Sequence, residues 1–494
     1  MIDQLKSPVY KFILQCFVLF LIASCSSGTQ ESGTEKEQLE RGLRGQVKIL
    51  EEPEKLSTIT DQMKAYKIPT LSLAVIREGQ IDWSEMYLNP DFSDGIIADS
   101  IRIFQAASLS KPVTFMAALR MHSAGEIDLD KDIEEYLQRY TLPAGKQTEE
   151  NPVTFRNIFS HTSGITAGGY EGYERSLPIP SDRDILEGKE GANSPAIAVI
   201  TPPNEQLLYS GGGYTLAETA LQDLYQEDFS KIMKKWILEP VGMHDSEFTQ
   251  PLPATKINQV AKGHAYTGEV IEGGWRNHPE QAAAGLWSNA TDMAKFLIEI
   301  YKAYHGNSAI FSQDDIRTIL NQERDGHVYG FIVDRSGDEI AITHYGGNAG
   351  YRTGMTISLT SGNGLVYLTN SDNGGNLGNE LLLSASQIYN WKHFKQTEVQ
   401  RKQVSDEVLN GLAGAYKWND QIDLSIGFDE STRLISLYFP NGDQYELVPI
   451  QGDALDFIHS NTGVQVSFQK ENNFRSFTLY GQSAIRIENN TFAE

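Results

Sequence analysis

Ser108-Leu109-Ser110-Lys111 places a hydroxyl and an amine three residues apart. On a helix that spacing puts both side chains on one face, with the ammonium in reach of the hydroxyl. A serine in the first turn also meets free backbone N–H groups and the positive end of the helix dipole, which favour a developing negative charge. Pro112 suits such a start, because the first turn asks no hydrogen bond of it. The chemistry on offer is that of a hydroxyl oxygen held beside an amine where negative charge is favoured. Alone, an S-x-x-K pattern arises about once by chance in a chain of this length, so its company decides. Tyr209-Ser210-Gly211-Gly212-Gly213-Tyr214 follows a long Gly- and Pro-rich stretch, and His344-Tyr345-Gly346-Gly347 is expected at the end of one strand just before another. His161-Thr162-Ser163-Gly164-Ile165 stands between the first two blocks.

In this order, and with Phe104-Gln105-Ala106-Ala107 before the serine, Pro240-Val241-Gly242-Met243 and Ala284-Gly285-Leu286-Trp287-Ser288, the chain resembles the serine beta-lactamase and penicillin-binding protein family. Its class C and esterase-like branch is the nearest in motif, and the likeness covers about residues 55–390. The resemblance implies an α/β (α+β) beta-lactamase/transpeptidase-like fold and hydrolysis through an acyl-enzyme. Carried over, Ser108 is the nucleophile, Lys111 its activating partner and Tyr209 the proton shuttle. The backbone N–H groups of Ser108 and Gly347 form the oxyanion hole, with Gly346 allowing the strand to approach closely. A lysine accepts a proton only when neutral, a state that burial favours. Which group serves as base differs between accounts of the family.

Two departures from the family pattern bear on substrate. Gly211 stands where the second motif usually has Asn, removing an amide that contacts the lysine and the substrate. His344 stands where the third motif usually has Lys, and a histidine is mostly neutral near pH 7. Both changes favour an ester or amide, as in esterases and D-aminopeptidase-like members, over a penicillin. The alternatives are a beta-lactamase or D-Ala-D-Ala carboxypeptidase acting on cell-wall peptides, and, in another class, a non-catalytic module that holds a peptide or glycan. The stretch from Ala167 to Pro203 is longer than a connection requires and is expected to form the substrate rim, with Tyr170 and Tyr173 as contacts. His161 is read as structural.

Among 494 residues there are 65 Asp and Glu against 41 Lys and Arg, a net charge of −24 that repels nucleic-acid backbones. With 40% hydrophobic and 21% charged residues the chain is neither disordered nor a polytopic membrane protein. There is no G-x-S-x-G, P-loop or dinucleotide fingerprint, and no paired histidine motif or cysteine ligand set, so neither a cofactor nor a metal is expected.

The elements that must position these residues follow from periodicity. Leu71 to Ile76 and Ile81 to Trp83, split by Glu78-Gly79, read as a hairpin. Helical spacing recurs at Phe115, Met116, Leu119, at Ile133, Tyr136, Leu137, at Leu216 to Leu224 and at Met293 to Ile300. Strands are expected at Gly330–Val333, Ile340–Thr343, Gly354–Leu359 and Gly364–Thr369. Strands at both ends with helices between them predict one antiparallel sheet flanked by helices. After a charged, glutamine-rich stretch from about Trp391 to Val404, only short strands follow, among them Leu434–Phe439, Tyr445–Ile450, Val464–Gln469, Phe474–Tyr480 and Ala484–Ile487, with Asn441-Gly442 as a turn. This part resembles the small lipocalin-like β-domains appended to the family, and its aromatics, Tyr416, Trp418, Tyr438, Phe439, Phe457 and Phe468, are read mainly as core. The division expected is 1–24, 25–50, 51–392 and 405–494: signal peptide, tether, catalytic domain and β-domain.

Lys6 and Lys11 precede an apolar run, Phe12 to Ile22, that is too short to span a bilayer but suits a secretory signal. It ends Ile22-Ala23-Ser24-Cys25, which resembles a bacterial lipobox, so Cys25 is expected to carry a lipid anchor and to tether the protein in the cell envelope, on its periplasmic or surface face. The only other cysteine, Cys16, lies within the signal, leaving no disulfide in the mature chain. The natural substrate and oligomeric state stay open.

Overall fold

The structure, a computed structural model, describes residues 33–92, 103–335, 337–419, 422–440, 444–452, 454–469 and 474–487. The expected signal peptide and Cys25 lie outside the described residues, as does the turn at Asn441-Gly442.

A seven-stranded antiparallel sheet organises the larger part of the chain. Its first two strands, β1 (Thr70–Arg77) and β2 (Gln80–Leu88), form the hairpin that the Glu78-Gly79 turn predicts. The rest come some 240 residues later: β3 (His327–Val328), β4 (Phe331–Asp334), β5 (Ala341–Asn348), β6 (Tyr351–Ser358) and β7 (Gly364–Thr369). Their spatial order is β2-β1-β7-β6-β5-β4-β3, so both ends of the domain close one sheet. Strand β1 reads Leu-Ser-Leu-Ala-Val-Ile and is buried on both faces, as a central strand requires.

One face of the sheet carries the main core, with helices α1 (Ser110–Ser123), α2 (Gly211–Tyr225) and α3 (Ala290–Tyr304) around it. The other face packs Leu71, Leu73, Val75, Leu365 and Tyr367 against Leu377 and Leu381 of α4 (Gly374–Ile388). Leu39 and Leu43 join this second core with almost no exposure. The tether expected over residues 25–50 is therefore folded from Glu35 on. Thr34 and Glu37 form a capping box for a helix at Glu35–Arg41, and Val47–Ile49 pairs in parallel with Thr397–Val399. Each leucine buried in this way contributes about 2 kcal/mol, which holds the segment down. The helical spacing at Ile133, Tyr136 and Leu137 yields only a 3₁₀ turn, Ile133–Glu135, because Asp132 caps it at once and Tyr136 turns its hydroxyl back to the Asp128 N–H.

Eight antiparallel strands between Gly414 and Arg486 close into a barrel, the first pairing with the last. Tyr416, Phe457, Phe468 and Phe477 fill its interior. Tyr438, by contrast, is exposed, and Trp418 and Phe439 sit partly buried at its margin. Closure leaves no open sheet edge. The barrel is held to the larger body through the Val47–Ile49 strand: the N–H groups of Gln46 and Val47 donate to the carbonyls of Asn461 and Ser460, and Val47, Val399, Ile450 and Ile458 form a small apolar contact. No helix among the described residues is long and apolar enough to cross a membrane.

Candidate active site

From Ile103 to Leu119 every residue is buried except Ser108, which is partly exposed. It sits in a 3₁₀ turn, Ala107–Leu109, that runs directly into α1. Ala107 has φ of +52°, a region that costs an L-residue energy and persists only where the surroundings impose it. They do so here: Ser110 Oγ donates to the Ala107 carbonyl at 2.6 Å, and Thr353 Oγ1 donates to the Ala106 carbonyl at 3.0 Å.

Lys111, 2% exposed, donates from Nζ to Ser108 Oγ at 3.1 Å and to the Ala283 carbonyl at 2.8 Å. Two aromatic faces also stand near it, the rings of Tyr209 at 4.9 Å and Tyr214 at 5.8 Å. No carboxylate among the described residues lies within ion-pair distance of it. The ring faces and the Ala283 carbonyl hold the amine in place facing the serine.

Tyr209 precedes α2, whose N-cap is Ser210; the Ser210 hydroxyl accepts from the Gly213 N–H at 2.8 Å. His161 lies beneath Tyr209 with ring centroids 4.4 Å apart, and its Nδ1 accepts the Ser210 N–H at 3.1 Å. Burial first, then the Lys111 cation, holds His161 well below the usual histidine range, so it is neutral. Read from sequence as structural, His161 supports the tyrosine directly.

His344-Tyr345-Gly346-Gly347 lies inside β5 and not at its end, because β6 continues the ladder through Asn348↔Tyr351. His344 is buried, and burial followed by Lys111 pushes it down to about 3, so no cation stands there at neutral pH. Gly346 faces the Ser108 turn: a methyl group on it would collide with Thr353 Oγ1 and lie 2.6 Å from the Ala106 carbonyl oxygen. Only glycine lets β5 come this near the Ser108 turn. Gly347 follows on the exposed side of the strand.

Gly211 takes the position of the expected amide, and Tyr170 from the long loop covers it. A Cβ on Gly211 would meet Tyr170 Cε2 at 3.0 Å, and the Tyr170 hydroxyl bonds to Thr215 at 3.1 Å. Tyr173 does not join the site. It is 4% exposed, pairs with Asn277, and its hydroxyl accepts the Asn193 N–H at 3.2 Å, so it builds the loop. Two buried ionisable groups near this site carried no sequence signal: Glu280, with both carboxyl oxygens unpartnered and its pKa raised by burial to about 8, and His278, pushed by burial down to about 3.

Ser108 in the turn leading into α1, Lys111 in α1, Tyr209 just before α2 and the glycine-bearing strand β5 come together in one site. The beta-lactamase family model matches residues 57–387, and the chain belongs to that family, whose members are generally serine hydrolases. It is 22% identical over 401 residues to penicillin-binding protein 4* of Bacillus subtilis, covering 76% of this chain and 85% of that one. It is 25% identical over 310 residues to beta-lactamase-like protein 2 of Dictyostelium discoideum, covering 59% of this chain and 52% of that one. Among solved structures, the octameric penicillin-binding protein homologue of Pyrococcus abyssi superposes with a TM-score of 0.55 at 18% identity, over 87% of this chain and 98% of that one. The D-amino acid amidase of Ochrobactrum anthropi SV3 superposes with a TM-score of 0.51 at 20% identity, over 67% of this chain and 97% of that one. At those identities the structural likenesses establish the fold.

Proposed function

We propose that the protein hydrolyses an ester or amide through an acyl-enzyme on Ser108. The observation that carries this reading is Lys111 Nζ at 3.1 Å from Ser108 Oγ, buried and without a carboxylate partner among the described residues. Ser108 Oγ attacks the carbonyl carbon while its proton passes to Lys111 Nζ; as the bond to the leaving alkoxide or amine breaks, Tyr209 gives that group its phenolic proton and takes up the one held by Lys111, so both groups return to their starting state. The negative oxygen is received by the N–H groups of Ser108 and Gly347. Water then attacks the acyl carbon and gives a proton to Lys111, and a proton returns to Ser108 Oγ as the acyl bond breaks and the acid leaves.

The Tyr170 ring over Gly211 and the neutral His344 remove an amide and a fixed cation from the cleft, which favours an uncharged ester or amide over a penicillin. The Ochrobactrum protein of similar fold is a D-amino acid amidase. The test is hydrolysis of p-nitrophenyl acetate and butyrate by the purified protein beside Ser108→Ala, Lys111→Ala and Tyr209→Phe. Loss of at least about 10³-fold in kcat for Ser108→Ala, and large losses in the other two, is the expected result. Equal rates for wild type and Ser108→Ala would overturn it. On the same reading, Cys25 carries the lipid that holds the protein in the envelope.

A further inference from the structure

Away from Ser108, a cleft of about 550 Å³ opens between the barrel and α4. Its floor is the outer wall of the barrel, where Ser467 and Thr478 face each other across neighbouring strands while Val466, Phe468, Phe477 and Leu479 point into the core. Asn376 and Asn379 of α4 and Gln46 of the N-terminal strand form the other wall, and Tyr480, 64% exposed, stands at the rim.

None of the described residues lining this cleft is charged, in a chain where about one residue in five is. The side-chain amides of Gln46, Asn376 and Asn379 have no hydrogen-bond partner among the described residues, and each offers two donors and an acceptor. A net charge of −24 opposes an anionic ligand, and an apolar one would leave these amides unpaired. What matches is a ligand with many hydroxyls, no charge, and an apolar ring face that can lie on an aromatic side chain.

We propose that this cleft binds a neutral saccharide chain, its hydroxyls paired with Gln46, Asn376 and Asn379 and one sugar face laid on Tyr480. The start of α4 lies beside β6, which pairs with the β5 strand that carries Gly347. A methyl group on Gly374, at the start of α4, would sit 3.1 Å from Arg352 Cβ, and one on Gly347 would sit 3.4 Å from Arg352 Nη1. The barrel thereby acquires a role: with α4 it builds a binding wall that the catalytic domain alone lacks.

The test is calorimetric titration of the purified protein with two uncharged probes, chitotetraose and cellotetraose, alongside Tyr480→Ala, Asn379→Ala and Ser108→Ala. Binding of at least one probe, weakened at least about tenfold in Tyr480→Ala and in Asn379→Ala and unchanged in Ser108→Ala, is the expected result, with ester hydrolysis by the first two variants at the wild-type rate. A preference between the probes tells an acetamido sugar from a plain glucan. Failure of the wild type to bind either, or binding that both cleft variants leave unchanged, would overturn the proposal. Because Ser108→Ala is assayed for binding as well, failure of the saccharide site is distinguishable from failure of the hydrolase reading.

Discussion

Glu280 is fully buried, its two carboxyl oxygens have no hydrogen-bond partner among the described residues, and burial raises its pKa from 4.5 to about 8. Between those two values the folded protein holds a proton that the unfolded chain releases. Stability from this group is therefore fully present below pH 4.5 and is lost as pH rises toward 8. Each pH unit inside the window costs about 1.4 kcal/mol, so raising the pH from 5 to 8 costs the wild type about 3 to 4 kcal/mol at this one side chain. Glu280→Gln keeps the shape and removes the proton. Whatever the variant's fixed cost or gain, the difference between the two proteins should grow by that amount in the variant's favour between pH 5 and 8. With an m-value of about 3 kcal/mol per molar, this is a relative shift of about 1 M in the urea midpoint. Tryptophan fluorescence reports the transition, since Trp275 and Trp287 are buried in the catalytic body. Urea curves for both proteins at pH 5, 6, 7 and 8 test it. Midpoints that differ by a constant across that range would refute the reasoning, by showing that Glu280 titrates alike in the folded and unfolded states.

Gly346→Ala should lower kcat at least about tenfold while the protein stays folded by circular dichroism, because the added methyl meets backbone at Ala106 and displaces the Ser108 turn. An unchanged kcat would mean that the turn does not depend on β5. Asp223, with no exposed surface, accepts the N–H groups of Gln138 at 2.6 Å and Arg139 at 2.9 Å and pairs with the Arg139 guanidinium. Asp223→Ala leaves those donors unpaired and should cost about 3 kcal/mol in urea unfolding, with wild-type stability contradicting it. For Cys25→Ser the expected outcome is loss of radiolabelled palmitate incorporation and a move from the detergent to the aqueous phase on Triton partitioning. Unaltered labelling would remove Cys25 as the anchor.

The catalytic body was legible where local chemistry marks it. The hairpin turn at Glu78-Gly79, the buried helix after Ser108 and the apolar runs of β4 to β7 announce themselves within a few residues. Three of the eight barrel strands, Gly414–Trp418, Ile422–Asp429 and Leu455–Ile458, were not read: the first and last hold only five and four residues, whereas Ile422–Asp429 alternates apolar and polar residues and carried a signal that was missed. The strand at Val47–Ile49 could not be read either, because its partner Thr397–Val399 lies some 350 residues away and three residues hold no periodicity. In the candidate site, the departures at Gly211 and His344 were visible as residue types. That Tyr170 covers Gly211, that Tyr173 turns inward, and that His161 supports Tyr209 depend on how a long loop folds back, which spacing does not encode. Glu280 and His278 went unnoticed for a similar reason: a buried ionisable residue looks like a surface one until its neighbours are known.

The central claim is a covalent bond to Ser108, and the most direct measurement is peptide mapping by mass spectrometry of protein quenched with acid during turnover of p-nitrophenyl butyrate. The account predicts a butyryl group on Ser108, absent in Ser108→Ala and more abundant where deacylation is slowed. Turnover with no adduct on the Ser108 peptide, or with the adduct on another residue, would contradict it.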